Sequence, residues 1–349
     1  MPSFTMNSLQ SMILMLLLLF GLSTDCAQFA EFVARCPFSH RLSDDPIVYP
    51  MQPGASHLHD FYGSKITNAF SDETSDYMNG ATTCSPLVDR SPYWIPALLN
   101  PNNQPVTAKR ATFYYQNRNI GNLTSIQRIP LGLRMIAGDA HTSIPPTGPR
   151  RTHWGCQGEN VADSNMVKCA SNNPNLEAYV RFPECWDGAH LDSMNHKSHM
   201  AYAIASTQKC PMTHPVPLPS LEFKILFPVI GGSGYKISSG SGLTLHGDFW
   251  NAWDECEQEL RLINCIRRGK KCAENGFPSD GTSPIVMTAE QACEMSGITT
   301  TIVDESDDIN VPDEPHIHSS EKIGMIHHVD AALRLSIDLH NLLDAALRE

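Results

Sequence analysis

Two histidines one residue apart occur in G-A-S-H-L-H-D-F-Y-G, residues 54–63. In an extended chain His57 and His59 project to one side, where a single ion could meet both imidazoles. A divalent metal is the cofactor that this spacing would imply. The competing account is two hydrogen-bonded polar residues beside a glycine-bounded turn. A denser group lies in C-W-D-G-A-H-L-D-S-M-N-H-K-S-H-M-A-Y, residues 185–202. There His196 and His199 are candidate bases, and Asp187 and Asp192 candidate carboxyl catalysts. Lys197 is placed to hold a carboxylate or an anionic transition state. Nothing specific recommends His190.

Two further segments offer the same chemistry. L-R-M-I-A-G-D-A (133–140) reads as an apolar strand ending in Gly138-Asp139, where a loop exposes the Asp139 carboxylate and a sheet fixes it. A turn or helix cap is the commoner use of such an aspartate. L-H-G-D-F-W-N-A-W-D (245–254) adds His246 and Asp248 as catalytic candidates. Its Trp250 and Asn251 suit a sugar, because indole stacks on a pyranose face while amides bond hydroxyls. Asp60, Tyr62 and Arg134 complete the candidate substrate contacts, and Trp253 reads as core.

These residues need elements to hold them. Short β patterns fall at 111–115, 133–137, 177–182, 199–203 and 221–227, each with aromatic or β-branched members and turn residues nearby. If 199–203 is a strand, His199 is fixed by the sheet and His196 lies in the loop before it. The spacing between patterns implies long loops. One helix is predicted over 251–266, capped by Asn251 or Asp248 and stopped at Gly269. The fold class is mainly β, a sandwich or jelly roll with few helices, with α+β as the alternative.

Composition narrows the setting. A net charge of −12 with no basic run argues against a nucleic-acid partner. Residues 12–22 form an apolar run too short to span a membrane comfortably, and 1–27 reads as a secretory signal, although no Lys or Arg precedes the run. No stable transmembrane anchor is expected, and the localisation expected is extracellular or cell wall. With Cys26 removed, ten of the eleven cysteines are left: Cys36, Cys84, Cys156, Cys169, Cys185, Cys210, Cys256, Cys265, Cys272 and Cys293. An even number in an exported chain implies disulfides whose pairing the sequence leaves open. Asn122-Leu123-Thr124 is a glycosylation acceptor. One domain is expected over 28–298, an acidic linker over 299–321 and an amphipathic helix over 322–349.

The ordered set H-L-H-D-F-Y-G, D-R-S-P-Y-W-I-P, G-L-R-M-I-A-G-D-A, W-G-C, F-P-E-C-W-D-G, N-H-K-S-H-M-A-Y, C-P-M-T-H-P-V-P-L-P and H-G-D-F-W-N-A-W-D resembles the family known as domain of unknown function 1996. The resemblance spans about residues 36–272. It implies a secreted protein working near cell walls or polysaccharides, as in fungal and bacterial members that sometimes carry WSC carbohydrate-binding modules. It supplies no reaction. Three readings follow: a hydrolase or lyase cleaving a polysaccharide by acid/base chemistry, a non-catalytic glycan-binding or wall-associated protein, and a His-ligated metal-dependent oxidative enzyme. The first requires these carboxyl and imidazole groups to converge in one cleft.

Overall fold

The computed structural model describes residues 29–297. The expected signal segment, Cys26, the acidic linker and the terminal helix lie outside the described residues. Two large antiparallel sheets dominate. The first runs Glu31–Arg35, Arg110–Gln116, Ser220–Phe227, Leu176–Arg181, Thr152–Cys156 and Ala162–Asp163 in spatial order. The second runs Phe38–Leu42, His59–Gly63, Pro92–Pro96, His246–Trp250 and Arg134–Gly138. The expected mainly β class is what the chain adopts, with few and short helices.

Strand alternation explains why the two sheets stack. Tyr62, Tyr93 and Phe249 point from the five-stranded sheet into the same core as Phe113 and Phe223 of the six-stranded one. Tyr93 stacks on Phe113 with ring centroids 3.8 Å apart, and both meet Phe223 edge-on. Gly247 sits on this inner face for lack of room. A Cβ there would lie 3.0 Å from the Phe223 ring and 3.1 Å from Val180. Each buried aromatic side chain contributes on the order of 1.5–3 kcal/mol.

The other face of the five-stranded sheet is also covered. Phe61, Trp94 and Trp250 on it form a second cluster with Ile47, Tyr77 and Ala252. Tyr77 comes from a short helix, Thr74–Asn79, that lies over Trp250. Residues 43–58 and 187–199 supply the rest of the cover. The 43–58 loop is pinned by Asp44, whose carboxylate accepts from Gly54 N and Ala69 N.

All ten expected cysteines pair: Cys36–Cys84, Cys156–Cys169, Cys185–Cys210, Cys256–Cys293 and Cys265–Cys272. Cross-links of this kind contribute about 2–4 kcal/mol each, mainly by restricting the unfolded chain. Asn122 is exposed, and its amide oxygen accepts from Thr124 Oγ1 at 2.8 Å.

Two local expectations change. The 199–203 strand shortens to Met200–Ala201, because the Ala203 N–H goes to the Glu184 carboxylate instead of a neighbouring strand. The 251–266 helix is Glu255–Arg261 followed by a π turn at Leu262–Ile266. Its cap is Asp254, which accepts from Glu257 N at 2.9 Å. Asp248 is unavailable as a cap because it lies within a strand, and the Asn251 amide is engaged elsewhere.

Candidate functional site

The outer face of the five-stranded sheet carries the chemistry. Strand His246–Trp250 presents His246, Asp248 and Trp250 outward by its period of two, the adjacent strand presents Trp94 on the same side, and the strand beyond it presents His59. His57 enters from the bend before His59. The three imidazoles gather tightly: ring centroids are 4.3 Å apart for His57–His59, 4.9 Å for His57–His246 and 5.8 Å for His59–His246. His57 Nε2 and His246 Nε2 are 3.1 Å apart.

The backbone sets how two of these rings are protonated. His59 Nδ1 is 2.9 Å from the Asp44 carbonyl, and His246 Nδ1 is 2.8 Å from the Thr244 carbonyl. A carbonyl only accepts, so each Nδ1 carries the proton and each Nε2 keeps its lone pair. His59 Nε2 is fully buried and bonds to nothing else. Burial, with repulsion from neighbouring rings, lowers the pKa of all three histidines, to about 4 for His57 and about 3 for His246.

Two carboxyl groups share the floor. Asp248 is 1 % exposed, and its Oδ2 has no hydrogen-bond partner. Burial, then the nearby Asp45 charge, pushes its pKa well above the usual carboxylate range. Asp45 is anchored by the N–H groups of Ile47 and Val48 at 3.0 and 2.9 Å. Its pKa is also raised, by burial. Ligand atoms of His57, His59 and His246 lie within 4.8 Å of one another, and so do those of Asp45, His59 and Asp248. His59 joins the two sets.

Above this floor opens a cavity of about 240 Å³, lined by Asp45, Tyr49, Ser56, His57, Gly138, Asp139, His141, Asn195, His196, Lys197, His246 and Asp248. His196 stands at its mouth with a left-handed backbone, φ 55°. Its Nδ1 is 3.0 Å from both oxygens of Asp192. Arg134 reaches Asp192 at 3.5 Å, and its Cζ lies over the Trp250 ring, 3.7 Å from the centroid. Lys197 donates from Nζ to the Gly138 carbonyl at 2.7 Å, which ties the 187–199 loop to the sheet edge.

The expected residues therefore divide. His57, Asp139, His196, Lys197, His246 and Asp248 line one cavity, with Asp192 directly behind His196, while His59 is buried against His57 and His246. Asp139 also accepts from His141 N at 2.9 Å, which is the turn-forming alternative. The others have different work. Asp187 folds its own loop by accepting from Ala189 N and His190 N, and its second oxygen bonds His190 Nδ1. His199 is buried between the Arg134 carbonyl and Ser193 Oγ, so neither ring nitrogen is free for catalysis.

Among the expected substrate contacts, Asp60 is buried in an ion pair with Arg41, and Tyr62 is core. Asn251 spends its amide N–H groups on the carbonyls of Ile129 and Pro130. Trp250 is 1 % exposed, with its Nε1 donating to Thr74 Oγ1, so it shows no face for a sugar to stack on. Arg134 acts on Asp192 and Trp250 rather than in the cavity lining. Trp253 is buried core, as expected.

Asp45, Tyr49, Ser56 and His141 were not anticipated. The Asp44-Asp45-Pro46 pair ahead of H-x-H was the available signal for the first.

Fold and site together define a disulfide-tied β-sandwich with a His/Asp-floored cleft on one outer face. The chain belongs to the family described as Domain of unknown function (DUF1996), whose model matches residues 45–253, more than half its length. No curated protein and no solved structure matches it.

Proposed function

We propose that this chain is a secreted enzyme that cleaves an extracellular or cell-wall polysaccharide by acid/base chemistry in the cleft. The observation that carries the reading is the His196–Asp192 pair at the mouth, above the buried His/Asp floor. Asp192 orients the imidazole through Nδ1, which leaves Nε2 as the base or acid. Lys197 offers a cation beside it for a substrate carboxylate or a developing oxyanion. The positive φ of His196 is consistent with this role, since strained backbone clusters at functional sites.

The setting supports export. Five disulfides suit an oxidising compartment. No helix among the described residues is long and apolar enough to cross a membrane. The cavity volume suits one or two sugar-sized groups rather than a flat glycan-binding surface.

The test is a screen of the purified chain on neutral and acidic wall polysaccharides, reading new reducing ends and the absorbance of unsaturated uronates. The His196→Ala variant is expected to lose about 100- to 10,000-fold in rate, and Asp187→Asn to keep near wild-type rate. Activity indifferent to His196→Ala would refute the assignment.

A further inference from the structure

We propose that His57, His59 and His246 form a binding site for one divalent transition-metal ion of the zinc class. The proposal goes beyond the polysaccharide reading and does not depend on it.

Geometry is the first support. Two nitrogens each about 2.0–2.1 Å from one ion lie about 2.9 Å apart at a right angle and about 3.4 Å apart in a tetrahedron. The observed 3.1 Å between His57 Nε2 and His246 Nε2 falls between these values. The ligand atom of His59 completes a triad within 4.8 Å.

Orientation is the second. His59 and His246 each donate Nδ1–H to a backbone carbonyl and turn a bare Nε2 into the cluster. Metal-bound histidines are characteristically held this way. A hydrogen bond from a protonated His57 Nε2 to His246 would account for that one contact. It leaves His59 Nε2 buried with no partner.

Charge is the third. Asp248 Oδ2 is also buried without a partner, and Asp45 is nearly as deep. A lone buried carboxylate is costly, and a cation beside it removes the penalty. Two carboxyl groups and an orphaned imidazole nitrogen in one place make a polar floor that a divalent cation would satisfy. Imidazole donors select zinc, copper, nickel or iron over calcium and magnesium, which prefer all-oxygen shells. His57 and His246 also line the cavity, so an ion held there would face the cleft.

The test uses the full chain, stripped with a chelator and titrated with Zn²⁺ by calorimetry. Bound metal after dialysis is counted by mass spectrometry. One Zn²⁺ per chain is expected, with no matching uptake of Ca²⁺ or Mg²⁺. Bound Co²⁺ should show the visible absorption of a nitrogen-ligated, low-coordinate site. His59→Ala and His246→Ala should each weaken Zn²⁺ at least about 100-fold. His57→Ala alters a half-buried side chain, so it tests the site should the buried variants misfold. His190→Ala, which lies outside the cavity lining, should bind as wild type. Absence of stoichiometric Zn²⁺ at micromolar concentrations, or affinity unchanged in His57→Ala and the folded buried variants, would overturn the proposal. No substrate is needed, so a failed polysaccharide screen leaves this result untouched, and the reverse also holds.

Discussion

Replacing Asp248 by Asn should make the metal-stripped protein more stable. Two polar atoms are stranded together at the floor of the cleft, Asp248 Oδ2 and His59 Nε2. A buried polar atom left without a partner costs about 1–3 kcal/mol. Asparagine keeps the shape and supplies an N–H donor without the buried charge whose cost raises the Asp248 pKa. Its Nδ2 can then serve His59 Nε2 or the Asp45 carboxylate, whose ligand atoms lie within 4.8 Å of the Asp248 oxygen. The gain is therefore about 1–3 kcal/mol, and at roughly 2–4 °C per kcal/mol for a domain of this size the midpoint rises by about 2–12 °C. The assay is urea or thermal unfolding in excess EDTA. Adding Zn²⁺ supplies the missing partner to the wild type, and binding to the native state alone adds RT ln(1 + [L]/Kd). The advantage of the variant should shrink or reverse. An Asp248→Asn protein no more stable than wild type in EDTA would refute the reasoning, because the floor would then carry no unmet polar demand.

Other outcomes follow from the same structure. Asp89 is fully buried, and burial raises its pKa to about 7, against an unfolded value of about 3.9. Its contribution to stability is therefore complete below about pH 4 and is lost as pH rises toward about 7, by up to about 1.4 kcal/mol per pH unit. Asp89→Asn should flatten that slope in urea melts between pH 4.5 and 8, and a wild-type slope of opposite sign attributable to this residue would disprove it. Gly138→Ala should destabilise by more than about 2 kcal/mol, since φ is +90° and a Cβ would sit 2.4 Å from the Leu245 carbonyl. A midpoint within about 2 °C of wild type, a shift of less than 1 kcal/mol, would contradict that close approach. Asn251→Ala frees one buried and one half-buried carbonyl and should cost about 1–3 kcal/mol by chemical denaturation, with an unchanged midpoint as the disproof.

Strand period was legible only in H-x-H, whose alternation puts His57 and His59 on one side, where they meet. No strand is expected from the sequence over His246–Trp250, although the same alternation there turns His246, Asp248 and Trp250 to one face. Alternation does not say whether the face is open. Trp250 belongs to the same outward set as His246, and its indole beside Asn251 has the composition of a sugar platform. Helix Thr74–Asn79, whose Thr74 is 176 residues earlier in the chain, covers it through Tyr77 and Thr74. Asp45 escaped notice because a carboxylate next to a proline reads as a turn until the chain folds back over the sheet. Asp187 looked equivalent to Asp192 by composition. Only three-dimensional placement separates a loop that bonds itself from one that reaches His196. The even cysteine number was readable, but the partners were not, since loop closure permits many pairings.

The order of strands also bears on how the polypeptide is made. His246–Trp250 fits between Pro92–Pro96 and Arg134–Gly138, and Ser220–Phe227 fits between Arg110–Gln116 and Leu176–Arg181. Each large sheet thus receives a central strand late. While the chain is being synthesised, residues up to about 215 leave both sheets split, with unpaired edges facing each other across an empty lane. Open edges of this kind invite pairing with other chains. A ribosome stalled before residue 246 would hold a product lacking both the keystone strand and two of the five floor residues. Binding competence would therefore switch on in a single late step, and would serve as a readout of completed translation and folding together.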